Sequence, residues 1–305
     1  MPFACIDGWA GAPICKRRRR QQAQASPSLR DGPSAATVLE LEDVPMVQTP
    51  VKLSGLAILV VLAVVLACQA PARADQRDEF LAGRSRDCPG CTLDGASFKR
   101  RDLSNADLTG ASLKEANFHD ARLIGAKLAG ANLTEANLNK ANLSRADLRG
   151  VNLRDGMLYG AILDGANLSD ADLTNALMGT ARLTRSNLTK AVLRNVDLRK
   201  GRLSEAILTG ADLAAIALDF AILRSARLDG ALLADSRLMG ADMTGASLVG
   251  ADLTEADAQT ANLREADLTR AKLELANFRR ATFHDTKLDD AVFNMTMMPD
   301  GTRFP

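Results

Sequence analysis

From Leu93 to Phe293 an apolar residue returns every five residues without a slip in register. Of these 41 positions 33 are Leu, and the departures are Phe98, Phe118, Met178, Met243, Ala258, Phe278, Phe283 and Phe293. An α-helix advances about 100° per residue, so a step of five scatters side chains around its axis. A flat strand alternates faces, so an odd step sends successive leucines to opposite sides. Neither element gives these leucines a common face. A backbone that bends by about a right angle every five residues does, and four bends make a unit of twenty residues. Such units stack at roughly 4.8 Å, with backbone hydrogen bonds along the stack.

A second position, two residues before each leucine, is Ala in 31 of the 41 cases. Leucine and this small residue together predict a narrow, filled core with no room for a ligand. The other three positions are mostly Asn, Asp, Ser, Thr, Arg, Lys or Gly and face outward. Gly and Asn recur two places after the leucine, where a corner needs tight or left-handed backbone. Phe98, Phe118, Met178, Ala258, Phe278 and Met298 are separated by multiples of twenty, which places them on one wall.

Runs such as ADLTG, ANLTE, ANLSR and ADLRG resemble the repeats of the pentapeptide repeat family over about two thirds of the chain. The resemblance implies an all-β fold, a right-handed quadrilateral β-helix of about ten coils of 20 residues. A short N-terminal cap helix is expected before it. The expected domains are a cap over 75–90, the repeat solenoid over 91–295 and a C-terminal cap over 296–305. In the N-terminal cap Phe80 and Leu81 would lie over the first coil, and Met295, Met297, Met298 and Phe304 would close the last. The family itself implies no single activity.

The first ninety residues have another character. Leu53–Cys68 is the one long apolar run, with Lys52 before it and the small-x-small triplet Ala72-Arg73-Ala74 after it. That layout predicts a signal peptide over 46–74, cleavage after Ala74, and export to the periplasm or medium. An uncleaved membrane anchor at 53–68 is the alternative, and a membrane enters only in that case. The signal lies far from Met1, so translation starting at Met46 would leave 1–45 as a mis-assigned extension. The other reading of 1–45 is a disordered arm carrying the basic run Lys16–Arg20.

Chemistry-bearing residues are few. Cys88 and Cys91, in Cys-Pro-Gly-Cys, fall on the leucine and alanine positions of the register. The register favours a structural role such as a disulfide at the first coil, with redox or metal roles as alternatives. Two further zinc ligands are not evident, and His119 and His284 fall on different walls. No catalytic, metal or cofactor site is expected, and the chain reads as a non-enzyme.

Sorting the outward residues by wall gives two asymmetries. The wall of Leu113 carries ten acidic residues, among them Glu115, Glu135, Asp172, Asp212 and Asp252, against four basic ones. The wall of Leu138 is mildly basic and carries the apolar residues Met157, Tyr159, Leu177, Phe220 and Met239, a candidate patch for a protein partner or a second copy. Net charge is +1, which argues against general nucleic-acid binding. The expected function is a non-enzymatic interaction scaffold, and the alternative is a gyrase-directed DNA mimic in the cytoplasm, as some family members are. The register makes its own prediction. Leu188→Lys would bury an unpaired charge and should abolish folding; a soluble variant with an unchanged circular dichroism spectrum contradicts the register.

Overall fold

The computed structural model describes residues 76–305. Its organising contact is a parallel pairing of each repeat with the one twenty residues on. Thr92 pairs with Ser112, Ser97 with Asn117, Asp102 with Arg122 and Asp107 with Lys127, and the series continues to Asn277 with Met297. These pairings define four columns, and each twenty-residue layer contributes one bridge to every column. The columns are identified below by the bridging residue that begins each one.

The unit Ala131–Glu135 shows why the sequence accepts this arrangement. The Asn132 amide donates to Ala111 O at 2.9 Å, one layer back. The Leu133 and Glu135 amides donate to Asn152 O at 2.7 Å and Arg154 O at 2.9 Å, one layer forward. The Ala131 amide closes a turn onto Leu128 O at 3.0 Å. The Thr134 amide is left, and the Asn132 carboxamide accepts it at 3.1 Å and the Thr134 hydroxyl at 2.6 Å. All five amides are thereby satisfied, as burial beside a core demands. Asn or Asp therefore recurs before the leucine because its side chain supplies the acceptor that the ladder lacks. Asn142, Asp172, Asn187, Asp242 and Asp252 repeat the device.

The leucines and alanines form one continuous core. Leu133, Leu138, Leu143, Leu148 and Leu188 are fully buried, as are most alanines two places earlier. Each leucine contributes roughly 1.5–3 kcal/mol of apolar burial. Phe98, Phe118 and Phe278 lie on the Ser97 column, and the Phe98 and Phe118 rings stack 4.9 Å apart.

Strand content requires a correction. The all-β, right-handed quadrilateral β-helix is not what the described residues contain. Their only regular strands are β1, Thr296–Met297, and β2, Arg303–Phe304, which form an open two-stranded antiparallel sheet. The repeats hold isolated single-residue bridges separated by two-residue turns. A turn follows every bridge, so no second consecutive pair forms and no strand propagates. The closed solenoid of strands is withdrawn in favour of this ladder of single bridges.

The corners also differ from expectation. Every unit has positive φ two places after its leucine, whether or not that residue is Gly or Asn: Arg100, Glu135, Lys140, Phe220 and Glu255 all lie at φ 58–60°. Before the repeats, residues 76–81 are helical; Phe80 is buried but Leu81 is exposed rather than laid over the first layer. At the other end the Phe304 ring meets Phe293 at 4.8 Å, yet Phe283, Leu288 and Phe293 stay only partly buried.

The signal peptide over 46–74 with cleavage after Ala74, the apolar run 53–68 and the extension 1–45 lie outside the described residues. Among the described residues no helix is long and apolar enough to cross a membrane.

Left-handed backbone costs a residue with a Cβ about 1–2 kcal/mol. Glu255 bears that cost at an exposed corner with φ 59°. Glu255→Gly should therefore raise the unfolding free energy by about 1 kcal/mol in urea titrations, after the greater freedom of Gly in the unfolded chain is subtracted. An unchanged or lower midpoint contradicts the corner assignment.

Candidate functional site

The five apolar residues singled out above lie on one column, whose bridges run from Ser97 to Met297. The structure gathers them into two islands. Met157, Tyr159 and Leu177 form the first, with Tyr159 56% and Leu177 53% exposed. They line an open groove of about 490 Å³ together with Asn139, Gly179, Thr180, Asp197, Arg199 and Lys200. Phe220 and Met239 form the second, joined by a bond from the Phe220 amide to Met239 O at 2.9 Å. Tyr159 and Phe220 are three layers apart, about 14 Å at the spacing of paired backbones.

A glycine one layer on seats each aromatic ring. A Cβ added to Gly179 would lie 3.2 Å from the Tyr159 ring, and one added to Gly240 would lie 2.7 Å from the Phe220 ring. The Tyr159 amide is fixed by Asn139 Oδ1 at 2.8 Å.

Charges separate the islands. The Arg199 guanidinium donates to both oxygens of Asp197, at 2.8 Å and 2.6 Å. Those bonds, with the Arg199 amide and the charges of Arg199 and Arg237, hold the Asp197 carboxyl below its ordinary pKa against partial burial. Asp219 is almost fully buried, with Oδ2 3.0 Å from the Arg237 guanidinium but out of line for a hydrogen bond. Lys200 and Lys140 are exposed and enter no ion pair among the described residues.

On the acidic column, which begins at Thr92, three of the four basic residues pair with carboxylates of a neighbouring layer. Asp172, Asp212 and Asp252 are paired across layers with Arg154 at 3.2 Å, Arg194 at 2.5 Å and Lys272 at 3.6 Å. His119 and His284 sit on different columns, and no group of three metal-binding side chains occurs among the described residues.

Cys88 and Cys91 form a disulfide, Cα to Cα 5.4 Å, beneath the helical residues 76–81. Sequence reasoning missed the residue that holds this end together. Arg101 donates to Phe80 O at 2.5 Å, and its guanidinium lies 4.9 Å from the Phe80 ring centroid and 5.6 Å from that of Phe98. Burial lowers its pKa. The signal was present: Arg101 is the one charged residue among the 41 small positions.

With this geometry in hand, the class is a repeat protein whose interior is fully occupied and whose outward surface alone is free to act. The family model for pentapeptide repeats (8 copies) matches residues 91–128, 116–155, 158–189, 178–213, 221–257 and 260–294, and the chain belongs to the pentapeptide repeat family. That family is non-catalytic, and the protein is not an enzyme. The chain is similar to the crystal structure of HetL, a pentapeptide repeat protein involved in heterocyst differentiation regulation from the cyanobacterium Nostoc sp. strain PCC 7120. Identity is 33% over 74% of this chain and 97% of HetL, with a TM-score of 0.57. QnrB1, a plasmid-mediated fluoroquinolone resistance protein, is 20% identical over 64% of this chain and 88% of its own, with a TM-score of 0.31. A pentapeptide repeat protein of the Arabidopsis thaliana thylakoid lumen is 31% identical over 39% of this chain and 73% of its own, with a TM-score of 0.26. No curated protein matches the chain.

The depressed pKa of Asp197 fixes a sign. Its contribution to stability is present above the unfolded carboxyl value of about 3.9 and is lost as pH falls through the lower folded value. Asp197→Asn should destabilise the protein at pH 7, and its deficit should shrink below about pH 4. Thermal melts that keep a constant deficit down to about pH 2 contradict this.

Proposed function

We propose that the protein is a non-enzymatic interaction scaffold that makes its contact through the column carrying Tyr159 and Phe220. The observation that carries this reading is the open groove of about 490 Å³ floored by Met157, Tyr159 and Leu177. Single exposed hydrophobes are ordinary on a soluble surface, whereas three that line one groove mark a contact site. The aromatic rings are held against glycine before any partner arrives, so little side-chain freedom is lost on binding. A relative at 33% identity is named for a part in regulation, which suits a protein that acts by contact. The DNA-mimic reading draws less support, since Arg154, Arg194 and Lys272 interrupt the acidic column.

The test is site-specific photocrosslinking in cells. Benzoylphenylalanine at Tyr159 should give discrete adducts, while the same group at Lys190, exposed on another column, should give none. Tyr159→Ser with Phe220→Ser should abolish the association and leave the circular dichroism unchanged. Adducts of equal yield at both positions, or none at Tyr159, contradict the reading.

A further inference from the structure

We propose, resting on that reading, that the occupant of the groove is a second copy of this chain. Two copies pack antiparallel through the column beginning at Ser97, related by a two-fold axis at the layer of Asp197, Arg199 and Lys200. In this register Phe220 and Met239 of each copy enter the Tyr159 groove of the other.

The argument is one of complementarity along the corner of that column. Its residues, at twenty-residue steps, are Arg100, Asp120, Lys140, Gly160, Thr180, Lys200, Phe220, Gly240, Thr260, Arg280 and Asp300. A two-fold axis crossing the column at Lys200 places Arg100 opposite Asp300 and Asp120 opposite Arg280. It also places Gly160 opposite Gly240 and Thr180 opposite Phe220. Arg100, Asp120, Arg280 and Asp300 are all exposed. None of the four enters an ion pair among the described residues. Beside the corner, Tyr159 faces Met239 and Leu177 faces Ala217, while Met157 faces the Arg237 side chain.

The registers half a layer away fail on the same residues. Moving the axis half a layer toward Phe220 sets Asp120 against Asp300 and Lys140 against Arg280. Moving it half a layer the other way sets Arg100 against Arg280. A parallel dimer sets every charge against itself. Like-charge juxtaposition costs enough to exclude a register, so the corner charges exclude both half-layer shifts and the parallel pairing, and only the axis at Lys200 forms both the Arg100–Asp300 and the Asp120–Arg280 pairs. The cost in the favoured register falls on the axis layer, where Asp197, Arg199 and Lys200 each meet their own copy, the two Asp197 carboxylates lying among the four cations. An isologous contact repeats each favourable pair twice, so four opposite-charge pairs flank the two filled grooves.

Size sets the affinity. Ten layer spacings give a column about 48 Å long, and a width of roughly 10–15 Å buries on the order of 1,000–1,400 Å² in total, at the low end for a stable interface. A dissociation constant in the micromolar range is expected.

Sedimentation equilibrium of the full chain, at protein concentrations from about 1 to 100 μM, reads this directly. Wild type should show a monomer–dimer equilibrium. Asp120→Arg and Arg280→Asp should each weaken it by on the order of ten-fold or more, and the double exchange should restore it. Restoration is specific to the antiparallel register centred on Lys200. All three variants alter exposed corners, and unchanged circular dichroism keeps folding out of the comparison. A wild type that stays monomeric to about 100 μM, or a dimer that ignores the exchange, overturns the proposal. The broader reading fails separately: adducts at Tyr159 of a mass other than twice the chain leave the contact surface standing with a different occupant, and no adduct removes both.

Discussion

One constraint governs the molecule: each backbone amide that the ladder leaves unpaired must find another acceptor, in a tight turn or on an Asn or Asp side chain close by. Single bridges to the layers before and after satisfy three amides, a tight turn satisfies the fourth, and an Asn or Asp side chain satisfies the fifth, as at Ala131–Glu135. Leucine burial supplies the driving force, but this closed accounting lets a chain with almost no regular strand or helix bury a core at all. It also explains the conformational cost at the corners. A left-handed residue every five positions is the condition for the next amide to reach its partner, and Arg100, Lys140 and Phe220 adopt it despite their side chains.

How much of this could be read in advance follows from which interactions have a period. The five-residue register placed Leu133, Leu188 and their equivalents in the core, and the twenty-residue step placed Phe98 against Phe118, because burial depends only on register. Strand content did not follow, since periodicity reports where side chains point and not whether two neighbouring residues stay extended. The corner chemistry was read as a preference for Gly and Asn, although at these sites hydrogen bonding overrides residue preference. Arg101 was passed over because it breaks the pattern, and its meaning appears only when Phe80 and Phe98 are in place around it.

The surface follows a different logic. Outward residues have no packing partner to satisfy, so charge can be arranged freely from layer to layer. On the acidic column that freedom is used internally, with Arg154, Arg194 and Lys272 answering carboxylates one layer away. On the Tyr159 column the corner charges find no such answer, and the apolar residues gather into two islands either side of a charged layer. The sequence identified those five residues by column, but their division into a groove and a protrusion needed the layer spacing and the glycine seats at Gly179 and Gly240.

The account depends most on the rise of one layer per twenty residues, and a spin-label distance tests it directly. With Cys5, Cys15 and Cys68 replaced by Ser, labels at Arg145→Cys and Glu265→Cys stand at equivalent exposed corners six layers apart. Pulsed electron resonance should give one narrow distribution at about 29 Å, six times the spacing of paired backbones. A broad distribution, or a mean beyond about 45 Å, would show that the layers do not stack at that spacing and would contradict the ladder on which the rest of the structure stands.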